Sequence, residues 1–226
     1  MFTLDPKGIL RAAALSALPW LEHGFQTRVS QPFPDGFRHA TLRQVHSDRV
    51  VVARGEEGVL GEADALVTNT TGALLSIRTA DCVPLLLADP IHRAVAAVHA
   101  GWRGTVAPIL PRAVEALQAN YASQPQSLLV AIGPCIRLAT FEVGPEVALQ
   151  FQHIFPERDD LNRKTHLDLA EACTRQLRAL GIPQSAIFDC GRCSFAEPEL
   201  FHSFRRDERF SIPGVCFRFI GRDSVV

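Results

Sequence analysis

The sequence has no excess of charge of either sign. Its 23 Lys and Arg stand against 24 Asp and Glu, for a formal net charge of −1. That balance supplies no field to draw in nucleic acid or an anionic membrane surface, and a neutral or small substrate suits it better. Nor is there an apolar run near the roughly 20 residues of a membrane span, so no transmembrane segment is expected. Internal repeats, low-complexity tracts and Gly/Ser linkers are also missing. A single compact domain over residues 1–226 is therefore expected, and a hydrophobic content of 47% is enough to give it a substantial core. The six cysteines, at 82, 135, 173, 190, 193 and 216, show no repeated spacing. A chain of this size needs no disulfide staples, and a reducing cytoplasm is the expected location. Cys190 and Cys193 form one CxxC, in DCGRCSF, with no second close-spaced pair to complete a four-cysteine zinc site, so they read as ordinary buried thiols that bind no metal.

What is present alternates between strand and helix grammar. Strands are predicted at Leu42–Ala53, Ala65–Thr68, Ala73–Arg78, Val83–Ala88, Ala94–His99, Leu128–Ile132, Ile187–Asp189 and Cys216–Ile220. One helix is expected from the Gly104-Thr105 cap to about Tyr121, with Val106, Ile109, Leu110, Ala113, Val114 and Leu117 on one face. Another is expected over DLAEACTRQLRALG, where Asp168 and Glu171 make a capping-box-like start, Gly181 and Pro183 end the helix, and Cys173 falls on the core stripe. In KGILRAAALSALPW, an amphipathic helix ending before Pro19 is expected rather than a signal peptide.

Chemistry concentrates where short polar segments interrupt the apolar runs: LRQVHSDRV around His46, TADCVP around Cys82, and VHAGWRG around His99. If Asp89-Pro90-Ile91-His92 is a turn, Cys82 and His99 face each other across a hairpin, with Cβ atoms roughly 4.5 to 5.5 Å apart. Pro84 cannot donate to a ladder and calls for an edge or a bulge. Two histidines and a thiolate make a three-ligand zinc set with a fourth position left for water or substrate, and a Cys-His pair equally suits a cysteine-hydrolase dyad. GWRG adds Trp102 as a flat stacking surface and Arg103 as a forked donor for phosphate or carboxylate, followed by the amides of a helix start. Gln44, in the His46 segment, and Arg28, in HGFQTRVS, join these two as candidates for binding substrate or phosphate. Cys135, in the AIGPCI turn, is read either as a bordering residue or as a small buried one.

QVHSD, ADCVPLLL, AVHAGWRG, AIGPCI, FEVG and FHSFRRD occur in that order and closely resemble the YfiH/YlmD family, long labelled multicopper polyphenol oxidoreductase laccase. The match runs from His23 through most of the chain. The resemblance implies an α+β fold with mixed β-sheets flanked by helices, in a cysteine-hydrolase-like architecture. It implies a metal, zinc in preference to copper, on His46, Cys82 and His99, which then serve as both ligands and catalytic residues. It further implies phosphorolysis of adenosine, inosine and methylthioadenosine and deamination of adenosine, with Arg28 facing substrate or phosphate. Purine nucleosides and phosphate are then the partners, without nucleic acid or membrane. The chain departs from the family pattern in a shortened stretch after Arg28, VSQPFPDGF, in Leu138, Ala139 and Thr140 where a cysteine pair is usual, and in ERFSIPGVC after FHSFRRD. Three other readings stand beside this one: a Cys82-His99 or zinc amide hydrolase editing peptidoglycan precursors, a polyphenol-oxidising laccase, and a non-catalytic module stapled by zinc. The laccase is disfavoured because three N/S ligands do not make the several copper centres that phenol oxidation requires.

Overall fold

The apolar runs on either side of Asp89-Pro90 become the two innermost strands of the molecule. The structure is a computed structural model that describes residues 1–31, 36–207 and 220–221. Its main sheet contains Val50–Val52 (β1), Ala65–Thr68 (β2), Val83–Asp89 (β3), Ala94–Ala100 (β4), Leu129–Ile132 (β5) and Ile187–Asp189 (β6), in the spatial order β6-β5-β3-β4-β2-β1. The sheet is mixed: β3 runs antiparallel to β4 and β5, β4 antiparallel to β2, and the two outer pairings are parallel. Every residue of β3 and β4 is buried, because both faces of the sheet are covered. Leu85 and Leu87 of β3, with Ala96 and Val98 of β4, pack toward Trp102–Val106 (α1), Ile109–Tyr121 (α2) and Leu169–Ala179 (α3). The intervening Leu86, Ala88, Val95 and Ala97 meet Leu10, Leu15, Trp20, Phe25, Leu75 and Ile77 on the other face. Alternation at period two distributes one apolar run between two cores, so the run shows no polar-out pattern of its own.

That second face is covered by two three-stranded sheets, one of Phe2–Leu4, Ile9–Ala12 and Phe25–Gln26, the other of Arg38–Arg43, Gly58–Glu62 and Ala73–Leu75. The expected N-terminal helix is thus corrected. Ile9–Ala12 is a strand paired on both sides, and only Ala13–Ser16 is helical, because long-range pairing outweighs the local helix preference of Ala and Leu. The expected strand Leu42–Ala53 is likewise two strands, Arg38–Arg43 and Val50–Val52, separated by a loop that carries His46. Strand Ala73–Arg78 ends at Leu75. The expected helix from Gly104 is interrupted at Pro108, which adopts φ 7° and ψ 64°, so α1 and α2 are separate. Proline lacks the N–H and its ring collides with the preceding turn. Cys216 and most of its predicted strand lie outside the described residues, although Ile220 pairs with Glu22.

α3 forms as its caps dictate. Asp168 accepts from the Glu171 amide at 3.0 Å, a contact of the kind that contributes about 1 kcal/mol. At the other end Gly181, at φ 91°, passes its N–H to Arg178 while Ile182 donates to Leu177, the double closure of a Schellman turn.

The hairpin register corrects the sequence expectation by two. Asp89 pairs with Ala94, leaving residues 90–93 as the loop, and the ladder places Pro84, not Cys82, opposite His99. Asp89 causes this: its carboxylate accepts from the amides of Ile91 and His92 and pairs with His92 Nδ1 at 2.7 Å, which stabilises a longer turn closed by Arg93 at φ 51°. An even shift preserves parity, so Cys82 stays on the His99 face as a diagonal neighbour. Pro84 occupies an inner strand without a bulge, a second correction. Its carbonyl accepts from Gly133 and the β5 ladder starts only at Leu85, so its missing N–H falls where no ladder partner is required.

Candidate functional site

Three segments converge at the open end of this hairpin. His99 lies near the end of β4, Cys82 immediately precedes β3, and His46 sits in the loop between Arg38–Arg43 and β1. One donor atom from each lies within 4.8 Å of the others. Cys82 Sγ is 3.9 Å from His46 Nε2, and the two imidazoles stand edge to face at 71° with centroids 4.9 Å apart. His99 is buried, Cys82 half-buried and His46 exposed, so the cluster opens to solvent on the His46 side. Gly101 keeps the space free: a Cβ there would lie 2.8 Å from His46 Cδ2 and 2.9 Å from Cys82 Sγ. Two imidazole nitrogens and one sulfur within 4.8 Å of one another fit a zinc or copper ion in their donor chemistry.

Asp64 lies behind these three groups, with no exposed surface. Its Oδ1 accepts from His99 Nδ1 at 2.8 Å and from the His46 amide at 3.0 Å. Its Oδ2 accepts from the Ser47 amide at 2.6 Å, Ser47 Oγ at 2.8 Å and the Val45 amide at 3.3 Å. The successive amides of 45–47 form a nest around the carboxylate, and His46 takes φ 58° to close it. Burial pushes Asp64 up, but the His99 and Ser47 hydrogen bonds outweigh it and hold the carboxyl at about 2. Burial also pushes the Cys82 thiol up, and the two facing imidazoles reverse this, holding it well below its ordinary value. His99 is pushed down by burial and carried above its ordinary value by Cys82 and Asp64. Together these effects favour a thiolate beside a charged or metal-facing imidazole.

The remaining sequence candidates are placed as follows. Gln44 uses both ends of its amide on the backbone of Arg78, each at 2.7 Å, and so clamps the His46 loop to the segment leading to Cys82. Trp102 is half-buried against the helical core, and the Arg103 guanidinium lies over its ring at 4.4 Å. Arg28 is tied to the FHSFRRD segment, with Nε on the Phe201 carbonyl and Nη2 2.9 Å from Asp207. The helix expected to present amides here is the five-residue α1, whose first turn closes on the Gly101 carbonyl through the Thr105 amide and hydroxyl. Cys135 is fully buried, and burial raises its thiol well above the ordinary range. Cys190 and Cys193 are half-buried rather than buried, a correction. Cys190 Sγ accepts from the Arg192 amide and lies 3.9 Å from Arg137 Nη2, whereas Cys193 Sγ is 3.4 Å from Thr140 Oγ1.

Two acidic residues near the site are not among the sequence candidates. Asp64 is one, and its signal was a lone charge heading the apolar run ALVT, since a charge is rarely buried without partners. Asp81 is the other. At φ 85° it turns its carboxylate to Ser194 Oγ and the Arg205 amide, both at 2.7 Å, while its carbonyl accepts from Ile136. It thus fastens the CGRC and FHSFRRD segments next to Cys82.

Comparison with known proteins places this geometry in a family. Residues 29–222 match the family described as multi-copper polyphenol oxidoreductase laccase. A purine nucleoside phosphorylase of Deinococcus radiodurans is 40% identical over 215 residues, covering 87% of this chain and 81% of that protein. An adenosine deaminase, RL5, from an unknown prokaryotic organism is 37% identical over 179 residues, covering 73% of this chain and 68% of that protein. The crystal structure of YlmD from Geobacillus stearothermophilus superposes with a TM-score of 0.86 over 99% of both chains, at 27% identity. With the fold, the ordered motifs and the relatives in agreement, the chain belongs to the YfiH/YlmD family of multi-copper polyphenol oxidoreductase laccases.

Proposed function

We propose that this chain is a zinc-dependent purine nucleoside enzyme that phosphorolyses adenosine, inosine and methylthioadenosine and deaminates adenosine. The observation that carries the reading is the solvent-open convergence of His46, Cys82 and His99 in a chain whose relatives include proteins named for both activities. The three side chains would hold zinc, which supplies a Lewis acid when bound. Residues 1–226 act as one catalytic unit, and purine nucleosides and phosphate are its small-molecule partners. Arg28 holds phosphate: its exposed guanidinium already carries a carboxylate, that of Asp207, at the distance an anion would occupy. Trp102 and Arg103 border the site one and two residues past Gly101 and offer a ring face and a cation to a nucleoside. Gln44 acts by holding the His46 loop in place. Phosphorolysis requires the anion to be fixed where positive charge builds on the ribose, whereas deamination uses water and needs no phosphate. Among the described residues, no helix is long and apolar enough to cross a membrane. Among the described residues, five cysteines are free thiols, which suits a reducing cytoplasm.

A second reading follows from one observation. The Cys82 thiol is held down beside His99, as a cysteine nucleophile is beside its base, so an amide hydrolase of cysteine-hydrolase-like architecture is the alternative. A nucleoside panel with and without phosphate, on protein of measured metal content, separates the two. Hypoxanthine release from inosine is expected to rise with phosphate and saturate, giving ribose 1-phosphate. Arg28→Ala is expected to raise the apparent KM for phosphate with metal content unchanged. No base release at any phosphate concentration, together with cleavage of an amide substrate, would replace the nucleoside reading by the hydrolase.

A further inference from the structure

We infer that Asp64 is the positioning residue of the His46, Cys82 and His99 centre, its one carboxylate fixing both histidines at once. The inference rests on the proposed metal centre only for its affinity readout. Asp64 engages His99 twice, its backbone carbonyl accepting from the His99 amide at 2.8 Å and its Oδ1 from the His99 ring at 2.8 Å. An ionised carboxylate can only accept, so the proton of a neutral His99 must sit on Nδ1, and Nε2 is left with its lone pair for the centre. The same Oδ1 accepts from the His46 amide, and Oδ2 gathers Ser47 and Val45, so the backbone conformation that brings His46 to Cys82 is set by the oxygens that orient His99. Among the described residues, all five contacts on the carboxylate are donors from the two elements that carry the histidines. A buried carboxylate behind a ligating imidazole fixes its tautomer and raises its basicity, and removing such a partner typically weakens metal binding about 10- to 100-fold.

Asp64→Asn is a sharp probe because an amide puts a donor where one oxygen was. If NH2 replaces Oδ1 it confronts the His99 and His46 N–H groups, and His99 can relieve this only by moving its proton to Nε2. If it replaces Oδ2 it confronts Ser47. Ser47→Ala is the companion variant, since it removes one bond to Oδ2 and leaves the His99 contact untouched. Long-range proton–nitrogen NMR on wild-type protein, recorded at a pH high enough for the His99 ring to be neutral, should show its proton on Nδ1. Competition with a chromophoric chelator should show zinc affinity lowered about 10- to 100-fold in Asp64→Asn and little changed in Ser47→Ala. A neutral wild-type His99 whose single proton sits on Nε2 overturns the inference without any variant, and so decides the matter even if Asp64→Asn fails to fold. Equal affinity losses in both variants would assign the effect to the loop alone and overturn it too, as would an Asp64→Asn protein that binds zinc like the wild type. If wild-type protein binds no zinc, the metal reading fails and the tautomer measurement still tests Asp64.

Discussion

His23 and His99 are buried almost equally, at 1% and 4% exposure, yet their surroundings drive them in opposite directions. Burial disfavours the charged ring in both. At His23 the Arg11 guanidinium adds to that effect, and the ring sits at about 4 while its Nε2 accepts the Ala12 amide at 2.9 Å. At His99 the Cys82 sulfur and the Asp64 carboxylate overcome it. Depth in the protein thus fixes the cost of a charge, and the neighbours fix its sign. His23 is a neutral wedge that fastens the N-terminal strands, whereas His99 belongs to a group built to hold positive charge.

The harshest way to break this contrast is to remove the sulfur. Cys82→Ala should reduce bound zinc from about one ion per chain toward none, as a lost ligand does, while Cys190→Ala leaves it unchanged, both read by elemental analysis. Filling space around each histidine is gentler. Gly101→Ala should lower kcat/KM about 100-fold, the usual cost of a displacement near 1 Å at a reacting centre, with the melting temperature nearly unchanged. Its counterpart beside His23, Gly24→Ala, puts a Cβ 2.3 Å from Ile9 Cγ2 and should instead cost about 1 to 3 kcal/mol of stability with zinc content intact. The smallest effect needs only acid. His23 has a lower pKa folded than unfolded, so unfolding takes up a proton. Its contribution is complete above pH 6.5 and is lost as pH falls toward about 4. The loss reaches at most about 3 kcal/mol. His23→Gln, which keeps an acceptor for Ala12, should remove this slope between pH 6.5 and 4 in urea unfolding. An unchanged slope would show that His23 is not its source.

The sequence disclosed the three donors because each interrupts an apolar run with a group that such runs exclude. It disclosed α3 because Asp168, Glu171 and Gly181 are local signals whose partners lie within a few residues. The hairpin strands were legible, but their register was not: Asp89 shifts the turn through contacts with Ile91 and His92 that composition does not reveal. The loop at Gln44 to Arg49 has the local pattern of a strand, and its actual shape depends on Asp64 and Arg78, remote in sequence. Ile9–Ala12 has the local pattern of a helix and is a strand for the same reason, its partners being Phe2–Leu4 and Phe25–Gln26. Where a residue's conformation is decided by a distant acceptor, local pattern carries no trace of it.

The hairpin loop at 90–93 gives the molecule a handle. It lies about 17 Å along β4 from His99, at the usual rise per residue, and Ile91 at its tip is 69% exposed. Asp89 meets position 91 only through its amide, so a short affinity tag coupled to the side chain of a residue substituted for Ile91 leaves that turn intact. Protein tethered to a surface through such a tag would present the His46 side outward, an orientation suited to a biosensor in which analyte reaches the cluster without crossing the support.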